Sequence, residues 1–355
     1  MLPEERRMEL TRAVRDLTER YRAAGYFPSA CVRVFDRERT LACVCVGDAK
    51  EDSLFDVASL TKIATATQVL MLVREGRVRL EDPLEQLFPE IRESKLMRGR
   101  LQGITLFHLL THTSTILDWY PFYVMRGHDF WEVLEHVLRI TEPVQGMVYS
   151  DINFMLAGIL VSRLRQKPLD RCLREDLVEP LQLGSMLYRP GTGNVIPSSY
   201  GNPIEERMCA ERGLVFDGFR DQSAPLIGQT NDGNCHYFFG DVCGLAGIFA
   251  TAEAYERLCR FYMNTEDPLF VAAQQEQKGA RGRGLGFQTG VSYPHGCGHT
   301  GFTGTGIYFS RSRGVGAVSM TNRLFYREQN PNASGDFRRA LHELALAMAG
   351  EREET

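Results

Sequence analysis

The most informative segment of this chain is Ser59-Leu60-Thr61-Lys62, followed by the apolar run IATATQVLMLV at residues 63–73. Apolar residues recur at helical spacing through this run, so the sequence predicts a buried helix that begins at Ser59. Positions i and i+3 share one face of a helix, which places the Ser59 hydroxyl beside the Lys62 amine. A neutral lysine amine could accept the hydroxyl proton and turn the serine into a nucleophile. The alternative is a helix-capping serine followed by a solvated lysine.

The pairing of Ser59 with Lys62 is moderately specific. The chain has five lysines and 16 serines in 355 residues, and only Lys62 has a serine three residues before it. Chance would produce such a match about 0.2 times in a chain of this composition. The backbone N–H of a serine at a helix N-terminus also faces the position where an oxyanion would develop.

Strand patterns occur toward both ends of the chain, whereas helical patterns fill its middle. Alternating runs predict a hairpin of strands at 30–35 and 40–46 and further strands at 284–289, 306–310 and 314–321. Helical spacing predicts helices or helical turns at 1–22, 59–73, 107–110, 131–138, 153–164, 251–262 and 337–348, with no convincing strand among the central ones. The segment 189–246 is rich in glycine and proline, which predicts a long irregular excursion, interpreted as a lid over a pocket.

These patterns together predict an α+β fold in which one antiparallel sheet is flanked by the terminal helices and carries an inserted, mostly helical domain. The predicted boundaries give an α/β domain from 1–56 and 245–355. The helical domain spans 57–244 and includes the irregular region 189–244. An active site between the two lobes would follow from this arrangement.

Composition narrows the class of protein and its partners. Hydrophobic residues make up 43% and charged residues 24%, which favours a folded globular chain over a disordered or membrane-spanning one. A net charge of -4 argues against nucleic acid and anionic membranes, and favours a small-molecule or peptide substrate. The oligomeric state has no sequence signal. The charged N-terminal segment does not resemble a signal peptide, so the expected location is the cytoplasm.

The nine cysteines are odd in number, scattered and free of any C-x-x-C pair, which predicts reduced and mostly buried thiols. Cys43 and Cys45 alternate along one predicted strand and could not bridge each other without distorting it. His108 and His112 have i, i+4 spacing, but they lack the H-E-x-x-H pattern and a third ligand. Asn231-Asp232-Gly233-Asn234 resembles a calcium loop only faintly, since no bidentate glutamate follows it. We therefore expect no metal and no cofactor.

Two further elements complete a pattern. Tyr149-Ser150-Asp151 precedes an apolar helix, and His299-Thr300-Gly301 precedes a pair of strands. In this order, the three elements resemble the motifs of the serine β-lactamase and penicillin-binding-protein family, specifically its class C, esterase and D-aminopeptidase-like branch. The resemblance extends over about 55–322 and includes the segments 108–114, 244–247 and 321–323.

The resemblance implies a role for each matching residue. Ser59 would be the acylated nucleophile, Lys62 its base partner, and Tyr149 the phenol that relays the proton to the leaving group. The backbone N–H groups of Ser59 and Phe302 would form the oxyanion hole. His299, Thr300 and Gly301 would border the substrate.

Two departures from the family pattern bear on the substrate. Asp151 stands where these β-lactamases usually carry asparagine, so either Asn153 supplies the missing amide or Asp151 is structural. His299 replaces a lysine, which weakens the expected hold on a substrate carboxylate. An ionised Asp151 in the cleft would repel such a carboxylate and attract an ammonium group.

The expected function is therefore hydrolysis of a carboxylic ester or a small D-amino amide or peptide through an acyl-enzyme on Ser59. The alternatives are a true β-lactamase or DD-peptidase, and a catalytically inactive binding or regulatory member of the same fold.

Overall fold

The computed structural model describes residues 4–326 and 334–350. The first residues of the predicted N-terminal helix, at 1–3, and the last residues of the chain, at 351–355, lie outside the described part.

A five-stranded antiparallel sheet is the centre of the fold. Its strand order is β2-β1-β8-β7-β6, and its strands are β1 (Ala30–Asp36), β2 (Thr40–Val46), β6 (Cys297–Thr300), β7 (Gly306–Ser310) and β8 (Val315–Thr321). The N-terminal hairpin therefore pairs with the C-terminal hairpin through β1 and β8. The predicted hairpin at 30–46 and the strands at 306–310 and 314–321 are confirmed.

The two faces of this sheet are covered by different parts of the chain. Val32 and Val34 of β1 point toward the terminal helices, whereas Cys31 and Phe35 point to the main core. This alternation is the period of two expected for a strand buried on both faces. The predicted flanking of the sheet by the terminal helices is confirmed.

Helices form most of the remaining regular secondary structure. They are α1 (Glu4–Ala23), α2 (Thr61–Arg74), α3 (Leu84–Leu87), α4 (Pro89–Glu93), α5 (Lys95–Arg100), α6 (Leu106–Thr111), α7 (Phe130–Ile140), α8 (Asp151–Arg165), α9 (Leu169–Cys172), α10 (Pro203–Glu211), α11 (Ala252–Asn264), α12 (Pro268–Ala273) and α13 (Gly335–Gly350). The Thr251 hydroxyl accepts a hydrogen bond from the Ala254 N–H and so caps α11, as its sequence predicts. Among the described helices, none is both long and apolar enough to cross a membrane.

Two strand predictions need correction. The segment 284–289 makes only single bridges, such as Gln288 with Gly298, because glycines interrupt it and Gly286 has a φ of +87°. A second sheet was missed, with strand order β3-β5-β4, from β3 (Phe55–Asp56), β4 (Met186–Tyr188) and β5 (Ile248–Ala250). Strands of two or three residues are too short to show an alternating pattern.

The second sheet joins the segment before Ser59 to the segment that follows the irregular region. The predicted domain boundaries at 56/57 and 244/245 fall beside its strands and stay a prediction. Between residues 189 and 244 the chain is mostly irregular, apart from α10 and one π-helical turn at Asn234–Phe238. Its interpretation as a lid also stays a prediction.

Candidate active site

Ser59 lies in a one-turn 3₁₀ helix, Ala58–Leu60, and α2 begins two residues after it, at Thr61. The sequence therefore predicted the start of this helix two residues too early, because Ser59 lies in the short turn that precedes α2. Ala58 has a φ of +46°, a strained conformation for a residue with a Cβ atom. The Asp56 carboxylate holds this turn, because it accepts hydrogen bonds from Ala58 N at 2.9 Å and Asn231 N at 2.7 Å. Burial raises the pKa of Asp56 to about 6.

Lys62 is completely buried, and three oxygens surround its amine. Nζ donates to Ser59 Oγ at 2.9 Å and to the Leu245 carbonyl at 3.0 Å, and it forms an ion pair with Asp151 Oδ1 at 2.9 Å. Burial alone would lower the pKa of Lys62, but Asp151, together with Tyr149 in its phenolate form, outweighs it, and the pKa is raised above its ordinary value. The ion pair with Asp151 thus favours the ammonium form of Lys62, and its role as the base partner of Ser59 stays a prediction.

Tyr149 stands against the Lys62 amine, with Nζ 5.1 Å from the centre of its ring. Its other neighbours are the Arg283 guanidinium, 5.1 Å from the ring centre, and the His112 ring, at 4.5 Å between centroids. Burial raises the pKa of Tyr149, while Lys62 and Ser59 act in the opposite direction. The phenol is protonated at neutral pH, and two cations next to it favour its conversion to phenolate.

The turn between β6 and β7 packs directly on the segment that precedes Ser59. Thr303 Oγ1 donates to the Asp56 carbonyl at 2.7 Å, and Thr305 Oγ1 donates to the Val57 carbonyl at 3.0 Å. A Cβ atom on Gly301 would lie 2.0 Å from Thr305 Oγ1 and 2.5 Å from the Val57 carbonyl oxygen. Glycine is therefore required at 301 for the two turns to approach this closely.

His299 lies within edge strand β6 and is buried. Its Nδ1 is 2.9 Å from the carbonyl oxygen of Thr300, so the ring N–H donates a hydrogen bond to that carbonyl. Burial, followed by the charges of Arg283 and Lys62, lowers the pKa of His299 well below its usual range. His299 is a neutral imidazole at physiological pH and provides no charge for a substrate.

A cavity of about 360 Å³ opens above the nucleophile. Its lining residues are Ser59, Tyr149, Gln288, Thr300, Gly301, Phe302, Arg323, Ser334 and Arg338. A second cavity of about 360 Å³, bordered by 199–205, shares Phe302 and Arg323 with it. The two cavities adjoin each other at Phe302 and Arg323, and the cavity that Ser59 lines is called the catalytic groove below. Part of the irregular region lines the second cavity.

Two predicted substrate-binding residues are not placed on this groove. Asn153 is completely buried, accepts a hydrogen bond from Ser114 Oγ at 2.6 Å and is not among the residues that line the cavity. Asp151 forms an ion pair with Lys62 and does not line the cavity either. The alternative that Asp151 is structural fits this contact, and the amide role of Asn153 stays a prediction.

Sequence reasoning missed three arginines of the site. Arg323 and Arg338 line the cavity, and the buried Arg283 stands against Tyr149. Arg323 Nε donates to the Phe302 carbonyl at 3.0 Å, and Arg338 Nη1 donates to the Thr305 carbonyl at 3.3 Å. Arg323 lies in the segment 321–323, which the resemblance includes without a role in the site. Arg283 and Arg338 lie outside every motif of the sequence analysis and approach the site only through the fold, so no local signal could have identified them.

The candidate metal-binding segments have other contacts. His108 Nδ1 accepts from Thr105 N at 3.0 Å at the start of α6, and His112 Nδ1 accepts from Ser150 N at 3.0 Å. The Asp232 carboxylate accepts from Cys235 N at 2.8 Å. These residues hold backbone segments in place around the site.

Comparisons with known proteins agree with this geometry. A family model described as Beta-lactamase matches residues 14–340. An N-acetylmuramyl-L-alanine amidase from Bacillus subtilis (strain 168) is 27% identical over 90% of this chain and 83% of its own length. A putative D-alanyl-D-alanine carboxypeptidase from Escherichia coli (strain K12) is 24% identical over 80% of this chain and 73% of its own length.

Solved structures share the fold over nearly the whole chain. A class C β-lactamase superposes with a TM-score of 0.69 at 16% identity, covering 96% of this chain and 98% of its own. EstCE1, a hydrolase with promiscuous acyltransferase activity, superposes with a TM-score of 0.70 at 14% identity, covering 97% of this chain and all of its own, 100%. These likenesses confirm the predicted fold class.

Proposed function

Since the chain belongs to the β-lactamase family of serine hydrolases, we propose that it cleaves a small peptide-type amide through a covalent acyl-enzyme on Ser59, and that its substrate carries a carboxylate beside the scissile bond. One observation carries this proposal. Ser59 Oγ accepts a hydrogen bond from the Lys62 amine. It lies in a cavity whose charged lining residues are Arg323 and Arg338. None of the described residues that line the cavity bears a carboxylate.

The charges around the groove favour an anionic substrate. Lys62 and Asp151 neutralise each other at 2.9 Å, and His299 is neutral. Among the described residues that line the cavity, the charged side chains are those of Arg323 and Arg338. Planar guanidinium groups suit carboxylates because they donate several hydrogen bonds in a fixed geometry. This balance favours the amide and peptide alternatives over a neutral ester. The printed names of the two relatives, an amidase and a putative carboxypeptidase, fit the same class.

The proposed reaction uses Tyr149 as the group that moves the proton. In the phenolate form, which Lys62 and Arg283 stabilise, Tyr149 accepts the Ser59 proton as Oγ attacks the carbonyl carbon. The phenol then donates this proton to the leaving nitrogen as the carbon–nitrogen bond breaks. In the second half of the reaction, the Tyr149 phenolate accepts a proton from water as the water attacks the acyl carbon. The phenol then returns the proton to Ser59 Oγ as the acyl–oxygen bond breaks. The backbone N–H groups of Ser59 and Phe302 are proposed to stabilise the oxyanion.

The test compares three substrates of matched size: a peptide with a free C-terminal D-alanine, the same peptide with its carboxylate amidated, and a neutral short-chain ester. We expect the free carboxylate to give the highest kcat/KM. Arg338→Ala should raise KM for that substrate about tenfold or more, because a hydrogen bond to a charged group contributes about 1.5–3 kcal/mol. The amidated peptide should be affected little.

Arg339→Ala is the matched control, since Arg339 is the exposed neighbour of Arg338 on α13. Ser59→Ala should abolish turnover and labelling by a fluorophosphonate while the chain stays folded. A neutral ester that outperforms the free-carboxylate peptide would contradict the substrate class. Turnover retained by Ser59→Ala would contradict the acyl-enzyme.

A further inference from the structure

Three cysteine thiols meet at the opposite edge of the main sheet from His299. Cys31 on β1 lies directly across from Cys45 on β2, and Cys43 lies two residues before Cys45 and so on the same face. The three Sγ atoms all lie within 4.8 Å of one another. Strands β8 and β7 separate them from β6 and the catalytic groove. This group of three thiols is called the thiol cluster below.

The three thiols of the cluster differ in their exposure to solvent. Cys31 is fully buried, whereas Cys43 and Cys45 are half-buried, and all three are free thiols. A small ion could therefore reach the sulfur atoms without unfolding of the hairpin.

A cation lies next to the cluster. Arg33 Nη1 is 3.5 Å from Cys43 Sγ. The guanidinium charge would partly balance the net negative charge of three thiolates around one monovalent ion.

Oxygen and nitrogen ligands are not part of the cluster. The buried carboxylate of Glu256 forms an ion pair with Arg33, with Oε2 2.5 Å from Arg33 Nε. Glu51 is 72% exposed and lies 3.7 Å from Arg33 Nη1. Among the described residues, no other group of three metal-ligating side chains comes as close together. A donor set of sulfur alone selects soft ions, whereas magnesium, calcium and manganese prefer oxygen.

We propose that Cys31, Cys43 and Cys45 form a binding site for one soft, thiophilic metal ion of the monovalent copper type, held by three thiolates. With metal–sulfur bonds of about 2.3 Å, a trigonal ion needs sulfur atoms about 4 Å apart, which the cluster can provide. Each thiol releases its proton to solvent as its metal–sulfur bond forms, and the ion keeps its oxidation state. Zinc fits less well, because structural zinc sites use four ligands.

The test titrates the full, reduced chain with Cu(I) under anaerobic conditions, in competition with a Cu(I) chelator of known affinity. We expect one Cu(I) per chain, a sulfur-to-metal charge-transfer band, and three sulfur neighbours by X-ray absorption. Cys43→Ser and Cys45→Ser should each weaken binding about 100-fold or more. Cys172→Ala is the control, since its thiol lies near the Lys167 carbonyl and away from the cluster, and it should bind as the unmodified chain does.

Hydrolase activity provides an independent check on folding, because the cluster lies outside the catalytic groove. Cys43→Ser and Cys45→Ser should keep the turnover of the unmodified chain while losing the metal. Four results would overturn the proposal: no binding against the chelator, binding that survives in the double variant, zinc bound as tightly as Cu(I), or a Cys31–Cys45 disulfide in the chain isolated under reducing conditions.

Discussion

Replacing Asp151 by asparagine should change the pH at which Ser59 becomes reactive. The variant removes the carboxylate that lies 2.9 Å from Lys62 Nζ. At an effective dielectric constant near 20, this ion pair is worth about 6 kcal/mol, or about four pKa units. Because the Asp151 side chain is 17% exposed, solvent reduces this value, and we expect a fall of about two to four units. A larger fraction of the Lys62 amine is then neutral at any given pH, because the Asp151 charge no longer opposes the effect of burial.

The assay is the rate of Ser59 labelling by a fluorophosphonate from pH 5 to 10. In the unmodified chain the pKa values of Lys62 and Tyr149 are both raised, so the unprotonated base becomes more abundant as pH rises, and labelling should accelerate through the whole range. In Asp151→Asn, the neutral lysine can act as the base, and the rising limb should move to lower pH by about two units or more. Asp217→Asn removes an exposed carboxylate paired with Arg126 and should leave the profile unchanged.

Thermal unfolding gives a second readout of the same change. The Lys62 pKa is lower in the variant than in the unmodified chain, so the folded variant binds fewer protons at pH values between the two pKa values. Its stability relative to the unmodified chain should therefore fall as pH decreases through that range, which Tm measurements at alkaline pH would show. A labelling profile that stays within about half a pH unit of the unmodified chain would refute the reasoning, since it would mean that Asp151 does not hold the lysine proton.

Two further predictions concern Tyr149 and the packing of α8. Arg283→Met removes a cation 5.1 Å from the Tyr149 ring, so labelling at pH 8 should slow about tenfold or more and its rising limb should move to higher pH, whereas Arg283→Lys should restore both. Gly158→Ala would place a Cβ atom 2.7 Å from the Gly244 nitrogen and should lower the free energy of unfolding in urea by about 1–3 kcal/mol. Gly99→Ala, whose Cβ would meet nothing within 4 Å, should instead raise it by about 0.5–1 kcal/mol; the reverse order for the two variants would contradict this account.

Features that depend on local spacing could be predicted from the sequence alone. The i, i+3 relation between Ser59 and Lys62 is set by helical geometry, and the structure places the two side chains 2.9 Å apart. The hairpin at 30–46 follows from two short apolar runs joined by a polar turn, a local pattern that is typical of paired strands. The order of the three motifs was sufficient to indicate the family and its fold.

Tertiary structure alone decided the protonation and charge of the site. Lys62 meets Asp151 across 89 positions of sequence, and this contact reverses the effect that burial has on the lysine. Arg283 reaches the Tyr149 ring from the segment between α12 and β6, and Arg338 reaches the cavity from the last helix. A pKa or a binding preference depends on distances and burial in three dimensions, which residue spacing does not contain. The same holds for the thiol cluster, because only the register of β1 against β2 brings Cys31 to Cys45.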